Sequence, residues 1–465
     1  MKTSNPLLGL QFSHPLSLWF IVVTALLLIF PPGTFGEPGT GEAPNLGDDR
    51  ITQAQIEEGI VSFKEIRDFG LRIFSTPFNK FDGYGERAPE LRPTLQGNGT
   101  FLRVNGLDAQ SCLECHSIVS SATIPATFGV GGAGGSSSNV IFRPSKINLT
   151  NGNMNGRFIN PPFLFGSGGV ELLAKEMTIR LQELKAQALT SPGTVVDLVA
   201  KEVFVGSIVA DDAGNLDTSN IEGIDQDLVV RPFGRKGEFA TVRAFDRGAM
   251  QFHFGMQPVE VVGEGEDPDE DGVTDEILIG ELSALHIWST ALPKPEMVEL
   301  IQDSSRGFII FEVIGCADCH KPFLTTHTKL LTYSYEELEE DPTANIFYEI
   351  DLTKTANFRA NKDGGIDVPL FADLKRHDMG PGLKESFEGD VPKVEFTTAR
   401  LWGVADTAPY LHDGRALTLK EAILMHGGEA KDSRDDFDDL EYEKMQALLF
   451  FLHSLRTPAK AIKVK

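Results

Sequence analysis

The chain has 465 residues, and its apolar, aromatic and charged fractions are ordinary for a soluble globular protein. Its formal net charge is -25, from 67 acidic and 42 basic residues. Such a surface repels phosphate backbones, so we exclude nucleic acid as a partner and expect basic proteins or cations instead. At about 150 residues per domain, the length predicts two or three domains.

The N-terminus has the layout of a secretory signal peptide. A weakly basic start precedes an apolar run from Leu16 to Phe30, and small residues follow it. We predict a signal peptide over 1–36 and a linker rich in Gly, Pro and acidic residues over 37–50. The alternative is an uncleaved membrane anchor, although the run is shorter than the roughly 20 residues that a span needs. Either way, we expect the folded part to be exported, to the periplasm or another extracytoplasmic location.

Several later segments repeat apolar residues at helical spacing. We predict helices in the region that begins at Ile51 and over 170–189, 275–295, 304–315 and 439–458, and a small β-hairpin over 194–215. Prolines stop the segments that end near 295 and 458. Each half of the chain therefore runs from a helix through a cysteine motif and a long middle part to a closing helix, which indicates an internal duplication with a boundary near 295–305.

All four cysteines lie in two CxxCH motifs, which consist of Cys112, Cys115 and His116, and of Cys316, Cys319 and His320. Two thiols at this spacing can each form a thioether with a haem vinyl group, and the next histidine can reach the iron. A zinc site would need the cysteine pairs about 15 to 20 residues apart, and a disulfide would not need the histidines. We predict two covalently bound haem c groups, with His116 and His320 as proximal iron ligands.

Two segments of the second half, FADLKRHDMGPGL (371–383) and LWGVADTAPYLHDGRALTLKEAILMHGGEA (401–430), resemble the bacterial di-haem cytochrome c peroxidase and MauG superfamily. Its di-haem "thiol oxidoreductase" (di-haem oxidoreductase) branch is the most similar. In the first half the resemblance rests on SCLECH and on the segments 160–171 and 233–245. It implies a mainly α protein with two cytochrome c-like helical domains, over 51–300 and 301–465, with the small β-hairpin inserted in the first.

The resemblance also implies ligands for the second haem. In that family, the residue that ends the TLKEAI helix is the distal iron ligand, and His426 occupies this position here. Met379 is the alternative ligand. His412 and His377 lie in matching segments and are expected to contact propionates or nearby groups rather than iron, and Arg415 is a candidate propionate partner. Trp402 is a candidate for a position between the haems, with a plain core role as the alternative.

The first haem is where this sequence departs from the peroxidases. A peroxidase needs an open iron face and an acid/base group that moves the proton of bound peroxide. The segment FHFGMQPVEVVG (252–263) offers Glu260 as the catalytic candidate, with a loose match to the family. His253 or His286 could instead close the distal face, and the protein would then be an electron carrier.

An acidic segment, EDPDEDGVTDEI (266–277), carries carboxylates at alternate positions. Hard oxygen ligands at this spacing can wrap Ca²⁺, and the related peroxidases use calcium near the haem interface. The position of the usual final glutamate holds Leu278, and Glu276 is a candidate substitute. The alternative is a solvated acidic loop. The candidate ligands are Asp267, Asp269, Asp271 and Asp275.

Together these features predict an exported di-haem oxidoreductase of the peroxidase type. Electrons from a small cytochrome or cupredoxin are expected to enter at the second haem and to reduce hydrogen peroxide at the first. Two alternatives stay open: a non-catalytic di-haem electron-transfer protein, and a MauG-like oxidation of a protein or organic substrate. No cysteine lies outside the CxxCH motifs to exchange disulfides, so the label "thiol oxidoreductase" implies no mechanism here.

Overall fold

The computed structural model describes residues 43–85, 109–116, 139–148, 153–162, 164–298, 303–385 and 391–458. The predicted signal peptide and the first part of the predicted linker lie outside these residues. The described residues all belong to one compact unit. No helix within the described ranges is long and apolar enough to cross a bilayer.

Helix is the commonest regular structure in the described part of the chain, which supports a mainly helical class. The predicted division into two haem domains stays a prediction. The helices are α1 (Gln53–Glu57), α2 (Phe63–Ser75), α3 (Ser167–Leu189), α4 (Val242–Ala249), α5 (Val259–Val262), α6 (Ile279–Thr290), α7 (Asp303–Val313), α8 (Cys316–Cys319), α9 (Leu352–Thr355), α10 (Leu419–Leu424), α11 (Lys431–Asp438) and α12 (Tyr442–Leu452).

The strands form small antiparallel sheets rather than one large one. The predicted hairpin over 194–215 corresponds to β3 and β4, and β5 adds a third strand to that sheet. The remaining strands make the pairs β1–β2, β6–β13, β7–β10, β8–β9 and β11–β12. The strands are β1 (Asn139–Asn148), β2 (Asn153–Ile159), β3 (Val195–Ala200), β4 (Val203–Ala210), β5 (Leu216–Ile221), β6 (Glu296–Met297), β7 (Leu324–Thr325), β8 (Leu330–Ser334), β9 (Ile346–Asp351), β10 (Asp367–Val368), β11 (Arg376–Asp378), β12 (Glu395–Thr397) and β13 (Leu455–Arg456).

The first predicted helical region contains two helices rather than one. Thr52 and Ser62 each begin a helix with a capping box, in which the cap side chain and the third helical residue satisfy each other's backbone N–H groups. Between the two helices, Gly59 has a φ of +67°, a left-handed conformation that glycine adopts without strain. These local signals interrupt the apolar periodicity that suggested a continuous helical region.

Three clusters of buried apolar residues stabilise the fold. One surrounds the first cysteine motif and includes Phe74, Trp288 and Cys115. A second surrounds the second motif and includes Phe311 and Phe451, with Cys316 packed against it. The third is formed by α3, the β3–β4–β5 sheet and residues of the second half of the chain. Each cysteine motif is therefore set against its own apolar cluster.

The helix before each motif crosses the closing helix of its half at a glycine. A Cβ atom at Gly70 of α2 would clash with the backbone carbonyl of Ala284 in α6. Likewise, a Cβ atom at Gly307 of α7 would clash with the carbonyl of Ala447 in α12. The two helix pairs thus share a close contact at a glycine, and the internal duplication stays a prediction.

Replacing Gly70 with alanine is expected to lower the free energy of unfolding by about 1–3 kcal/mol, because the added methyl group forces α2 and α6 apart. Urea denaturation measures this change. Gly382 is a matched control, since a Cβ atom there meets nothing within 4 Å. A Gly70→Ala variant as stable as Gly382→Ala would show that the crossing is not tight.

Candidate functional site

The second cysteine motif is one short helical turn. Cys316 and Cys319 form the ends of α8, so their thiols lie three residues apart on one side of the turn. His320 follows directly, and its Nδ1 lies 3.1 Å from the carbonyl oxygen of Phe371. That hydrogen bond fixes the ring with Nδ1 protonated and leaves Nε2 available as a ligand atom.

His426 faces His320. The centroids of the two imidazole rings are 6.5 Å apart. Two metal–imidazole bonds of about 2 Å each, together with the two ring radii, add to roughly this separation. Nδ1 of His426 lies 2.8 Å from the carbonyl oxygen of Ala422, so its Nε2 is also available. The capping box of Thr418 and Glu421 starts α10, the helix that brings His426 to this place.

Both rings are held as neutral imidazoles, the form that binds metal. Burial lowers the pKa of His320 to about 4, and the nearby His426 acts in the same direction. Burial also lowers the pKa of His426, against the effect of its backbone hydrogen bonds. The structure thus brings the two predicted ligands of the second haem together in the protonation state that ligation requires.

His377 lies beside the second motif, held by two carboxylates. Its Nε2 is 2.8 Å from Oδ2 of Asp373 and its Nδ1 is 2.7 Å from Oε2 of Glu429. The same Nδ1 lies 3.8 Å from Sγ of Cys319. Burial acts to lower the pKa of His377, but the hydrogen bonds to Asp373 and Cys319 outweigh it and raise the pKa to about 11. The ring is an imidazolium, which agrees with a supporting rather than an iron-binding role.

The first motif is a 3₁₀ turn, Cys112–Glu114, followed by Cys115 and His116. Nδ1 of His116 lies 2.8 Å from the carbonyl oxygen of Pro162, so Nε2 is again left available. Burial lowers the pKa of His116 to about 4, and the charge of His253 contributes in the same direction. The edge-on ring of Phe245 contacts His116 at a centroid distance of 6.3 Å.

The two histidines considered for the distal face of the first haem differ sharply. His286 is buried, and its Nε2 lies 2.8 Å from Oε2 of Glu171, which occupies the nitrogen that would bind iron. His253 is half-buried in a π-helical turn, Met250–Phe254, and its charge acts on His116. His286 is therefore committed to Glu171, and a distal role for His253 stays a prediction.

Glu260, the candidate catalytic residue, is held in an ion pair. Its Oε2 is 2.5 Å from Nη2 of Arg243, and its Oε1 is 3.5 Å from Nη1 of Arg247. The carboxylate side chain is 5% exposed. Contacts with two guanidinium groups favour a structural ion pair, and the catalytic role of Glu260 stays a prediction.

The candidate propionate partners lie on one loop. The ring of His412 stacks on Phe396, with centroids 4.5 Å apart and an interplanar angle of 26°. Arg415 pairs with Asp413 at 2.5 Å and donates to the carbonyl of Gly382 at 2.9 Å. Both side chains therefore already have partners within the chain, and their contact with a propionate stays a prediction. Trp402 is buried, and its ring lies 6.3 Å from that of Phe358.

The acidic segment brings three of its four candidate ligands together. Carboxylate oxygens of Asp267, Asp269 and Asp271 all lie within 4.8 Å of one another. Asp275 is engaged differently, since its Oδ1 accepts a hydrogen bond from the N–H of Gly265 at 2.8 Å. Glu276 is buried nearby; burial raises its pKa to about 9, and the aspartates add to the effect.

Burial is also the main cause of a raised pKa at Asp269, to about 7, with the charge of Asp271 next. Both carboxylate oxygens of Asp269 are buried without a hydrogen-bond partner among the described residues. A divalent cation bound here would reduce the repulsion between the carboxylates. It would also coordinate the oxygens of Asp269 that lack a hydrogen-bond partner.

Sequence reasoning missed a buried cluster of charges on α3. Glu171 is fully buried and bonds His286, Lys175 at 3.0 Å and the backbone N–H of Val242 at 2.9 Å. Asp246 lies near this cluster; burial raises its pKa, and its Oδ2 has no hydrogen-bond partner in the described part of the chain. The available signal was the spacing of Glu171 and Lys175, an opposite-charge pair four residues apart among the apolar residues at the start of α3.

The residues that are present fit two haem groups. Each CxxCH motif presents both cysteines on one turn, and each adjacent histidine directs Nδ1 at a carbonyl. The ring centroids of two predicted iron ligands, His320 and His426, are separated by roughly the span of a metal and its two bonds. The site therefore defines a haem-binding redox protein.

Comparison with known proteins agrees with this class. Residues 290–455 match the family described as "Di-haem oxidoreductase, putative peroxidase". The match confirms the resemblance to the di-haem oxidoreductase family over that part of the chain, and it supports haem binding and an oxidoreductase function. No curated protein matches the chain.

Solved structures give weaker similarity. The hydrazine synthase of Kuenenia stuttgartiensis, pressurised with xenon, is 16% identical, with 63% of this chain and 87% of that chain covered and a TM-score of 0.28. A MauG-like protein associated with microbial copper homeostasis is 14% identical, with 63% and 89% covered and a TM-score of 0.28. Similarity at this level carries no argument about the fold or the function of this chain.

Proposed function

We propose that this chain is an exported di-haem c-type oxidoreductase that reduces hydrogen peroxide with electrons from a small cytochrome or cupredoxin. One observation carries the proposal: the two histidines of the motifs have different surroundings. His320 faces His426 at the spacing of a ligand pair, whereas the ring contact of His116 within the described ranges is with the phenyl group of Phe245, which has no atom to bind iron. This difference supports a closed second site and a reactive first site.

Each haem, when bound, supplies a one-electron redox centre, so two in one chain match the two electrons that peroxide reduction needs. The chain's own residues orient the imidazoles through Pro162, Phe371 and Ala422 and keep them neutral by burial. Their neutral Nε2 atoms are the available iron ligands, and bis-histidine ligation at the second site favours a lower potential than histidine–methionine ligation.

Low-temperature EPR of the oxidised and half-reduced holoprotein, with and without cyanide, tests the proposal. We expect one haem that is high-spin or sensitive to cyanide in at least one redox state, and one that stays low-spin. Two cyanide-inert low-spin haems in both states would overturn it. A haem stain that fails to survive denaturation would overturn the covalent attachment.

A second candidate function is electron transfer without catalysis. The observation that favours it is that the charge of His253, in the half-buried π-helical turn Met250–Phe254, contributes to the lowered pKa of His116. If His253 binds the first iron, a His253→Ala variant should gain cyanide binding that the unmodified protein lacks. If His253 lies free of the iron, the variant and the unmodified protein should bind cyanide alike.

The acidic surface favours a basic electron donor. With a net charge of -25, association with a positively charged cytochrome or cupredoxin should be accelerated at low salt. The rate of electron entry is expected to fall as ionic strength rises, in stopped-flow measurements with donors of different charge. A rate that does not depend on salt for any donor would contradict electrostatic docking.

We also propose that Asp267, Asp269 and Asp271 bind Ca²⁺, on the basis of their clustered carboxylates and the unsatisfied oxygens of Asp269. Adding Ca²⁺ to chelator-treated protein is expected to raise the melting temperature, because a cation that binds only the folded state stabilises it. Asp269→Asn should abolish this shift, whereas Asp212→Asn, at an exposed position, should retain it. A melting temperature that does not change when Ca²⁺ is added would contradict the site.

A further inference from the structure

A continuous series of contacts joins the two cysteine motifs, and Asn160 is its first link. The backbone N–H of Asn160 donates to the carbonyl of His412 at 2.8 Å. Its side-chain amide donates to the carbonyls of Pro409 at 2.7 Å and Leu411 at 3.0 Å. Two residues further on, Pro162 accepts the hydrogen bond from His116. The stretch 160–162 therefore ties the first motif directly to the loop 409–412 of the second half.

The next link is an aromatic stack. His412 lies nearly parallel to Phe396 at a centroid distance of 4.5 Å. Nζ of Lys236 lies 3.7 Å from the centre of the same phenyl ring. The ammonium group is itself fixed, since it donates to the carbonyls of Pro392 at 3.0 Å and Lys393 at 3.2 Å. The stack is thus held on a rigid part of the fold.

The last link reaches the second motif. Phe396 lies in β12 directly opposite His377 in β11. His377 is fixed between two carboxylates, and its Nδ1 is 3.8 Å from Sγ of Cys319. Because Cys319 is a predicted haem attachment point, the series ends at the edge of the second haem site.

We propose that Asn160, His412, Phe396 and His377 form the path by which electrons pass between the two haem sites. This inference rests on the proposed function in so far as both motifs carry haem. Electrons cross a protein faster through bonded, hydrogen-bonded and closely packed atoms than across gaps. Here hydrogen bonds join Asn160 to the loop 409–412, a ring stack joins His412 to Phe396, and Phe396 and His377 are cross-strand neighbours. In each transfer the iron of the second site is oxidised by one electron and that of the first site is reduced by one. No bond forms or breaks.

The path predicts which side chains control the rate of transfer. Phe396→Leu keeps an apolar side chain in place but removes the ring that stacks on His412. Asn160→Ala removes two of the three hydrogen bonds that Asn160 makes to the loop. Phe358→Leu is a matched control, because Phe358 is also a buried phenylalanine, packs on Trp402 and lies outside the path.

The experiment uses the holoprotein with both haems. A pulse of photochemical reductant loads the second haem, and transient absorbance follows the electron to the first. We expect Phe396→Leu to slow this step severalfold and Asn160→Ala, which keeps the backbone hydrogen bond to His412, to slow it less, while the spectra and potentials of both haems stay unchanged. Phe358→Leu should leave the rate unaltered. Unchanged rates in both path variants, or a slower rate in Trp402→Phe instead, would overturn the path.

The measurement does not depend on peroxide. If the protein fails to reduce peroxide but electron transfer between the haems still depends on Phe396, the path is supported and the proposed function is wrong. If the protein reduces peroxide but the rate of electron transfer between the haems does not depend on Phe396 or Asn160, the proposed function is supported and the path is wrong.

Discussion

Replacing His426 with alanine is expected to open the second haem site to external ligands. His426 is the imidazole that faces His320 at a ligand-pair distance, and alanine has no atom that can replace its Nε2. The oxidised variant should therefore show a second cyanide-sensitive haem, which absorbance titration and EPR detect. Free imidazole should enter the vacated space and restore the low-spin signal, because it supplies the missing nitrogen.

His453→Ala is the matched control, since His453 is exposed at the end of α12. Its cyanide binding and spectra should equal those of the unmodified protein. If the second haem of His426→Ala stays low-spin and does not bind cyanide, another residue is the ligand. Met379 would then be the first residue to test.

Replacing Glu171 with alanine is expected to destabilise the protein by about 3–5 kcal/mol, the cost of removing one partner from a buried ion pair. The variant leaves the Lys175 ammonium and His286 without the carboxylate that they share inside the fold. Chemical denaturation of the holoprotein measures the loss. Glu183→Ala on the same helix is the control, because its pair with Arg180 is 60% and 51% exposed and surface pairs contribute only about 0–1 kcal/mol. Equal effects of the two substitutions would contradict the ionic role of the cluster.

The same cluster gives a pH dependence. Burial acts to raise the pKa of Glu171, but the charges of His286 and Lys175 outweigh it and lower the pKa to about 2. Because the folded pKa lies below the ordinary value of 4.5, the carboxylate's contribution is complete above that pH and is lost as the pH falls toward 2. The stability difference between the unmodified protein and Glu171→Ala should therefore shrink as the pH falls from 4.5 to 2.

Sequence reasoning identified the features that depend on residues close together in the chain. The CxxCH motifs, the helix over 170–189 and the closing helix over 439–458 follow from local patterns, and α3 and α12 occupy those segments. The pairing of His320 with His426 was reached from the family resemblance rather than from spacing, because these residues are far apart in the chain. The hairpin over 194–215 was anticipated, but β5, whose strand is largely polar and half-exposed, left no apolar alternation to read.

The contacts missed at that stage are long-range. Asn160 meets residues about 250 positions away, and no local propensity encodes such a contact. The charged cluster on α3 was hidden for a related reason: a glutamate and a lysine in a helix are usually solvated, and only the packing of α6 and β8 around them makes them buried. Asp275 and Glu276 show the same limit. They are adjacent in one loop, but Glu276 is buried whereas Asp275 is half-buried, and the sequence does not show this difference.

The imidazoles of both haem sites take their orientation from main-chain carbonyls rather than from side chains. Pro162, Phe371 and Ala422 accept the hydrogen bonds of His116, His320 and His426. Every amino acid offers that carbonyl, so substitutions at the accepting positions cannot delete the acceptor as long as the backbone keeps its course. The orientation of the predicted iron ligands therefore tolerates substitution at the accepting positions. The side chains around the predicted haem sites, and with them the redox potentials, could change in evolution while these histidines keep their orientation.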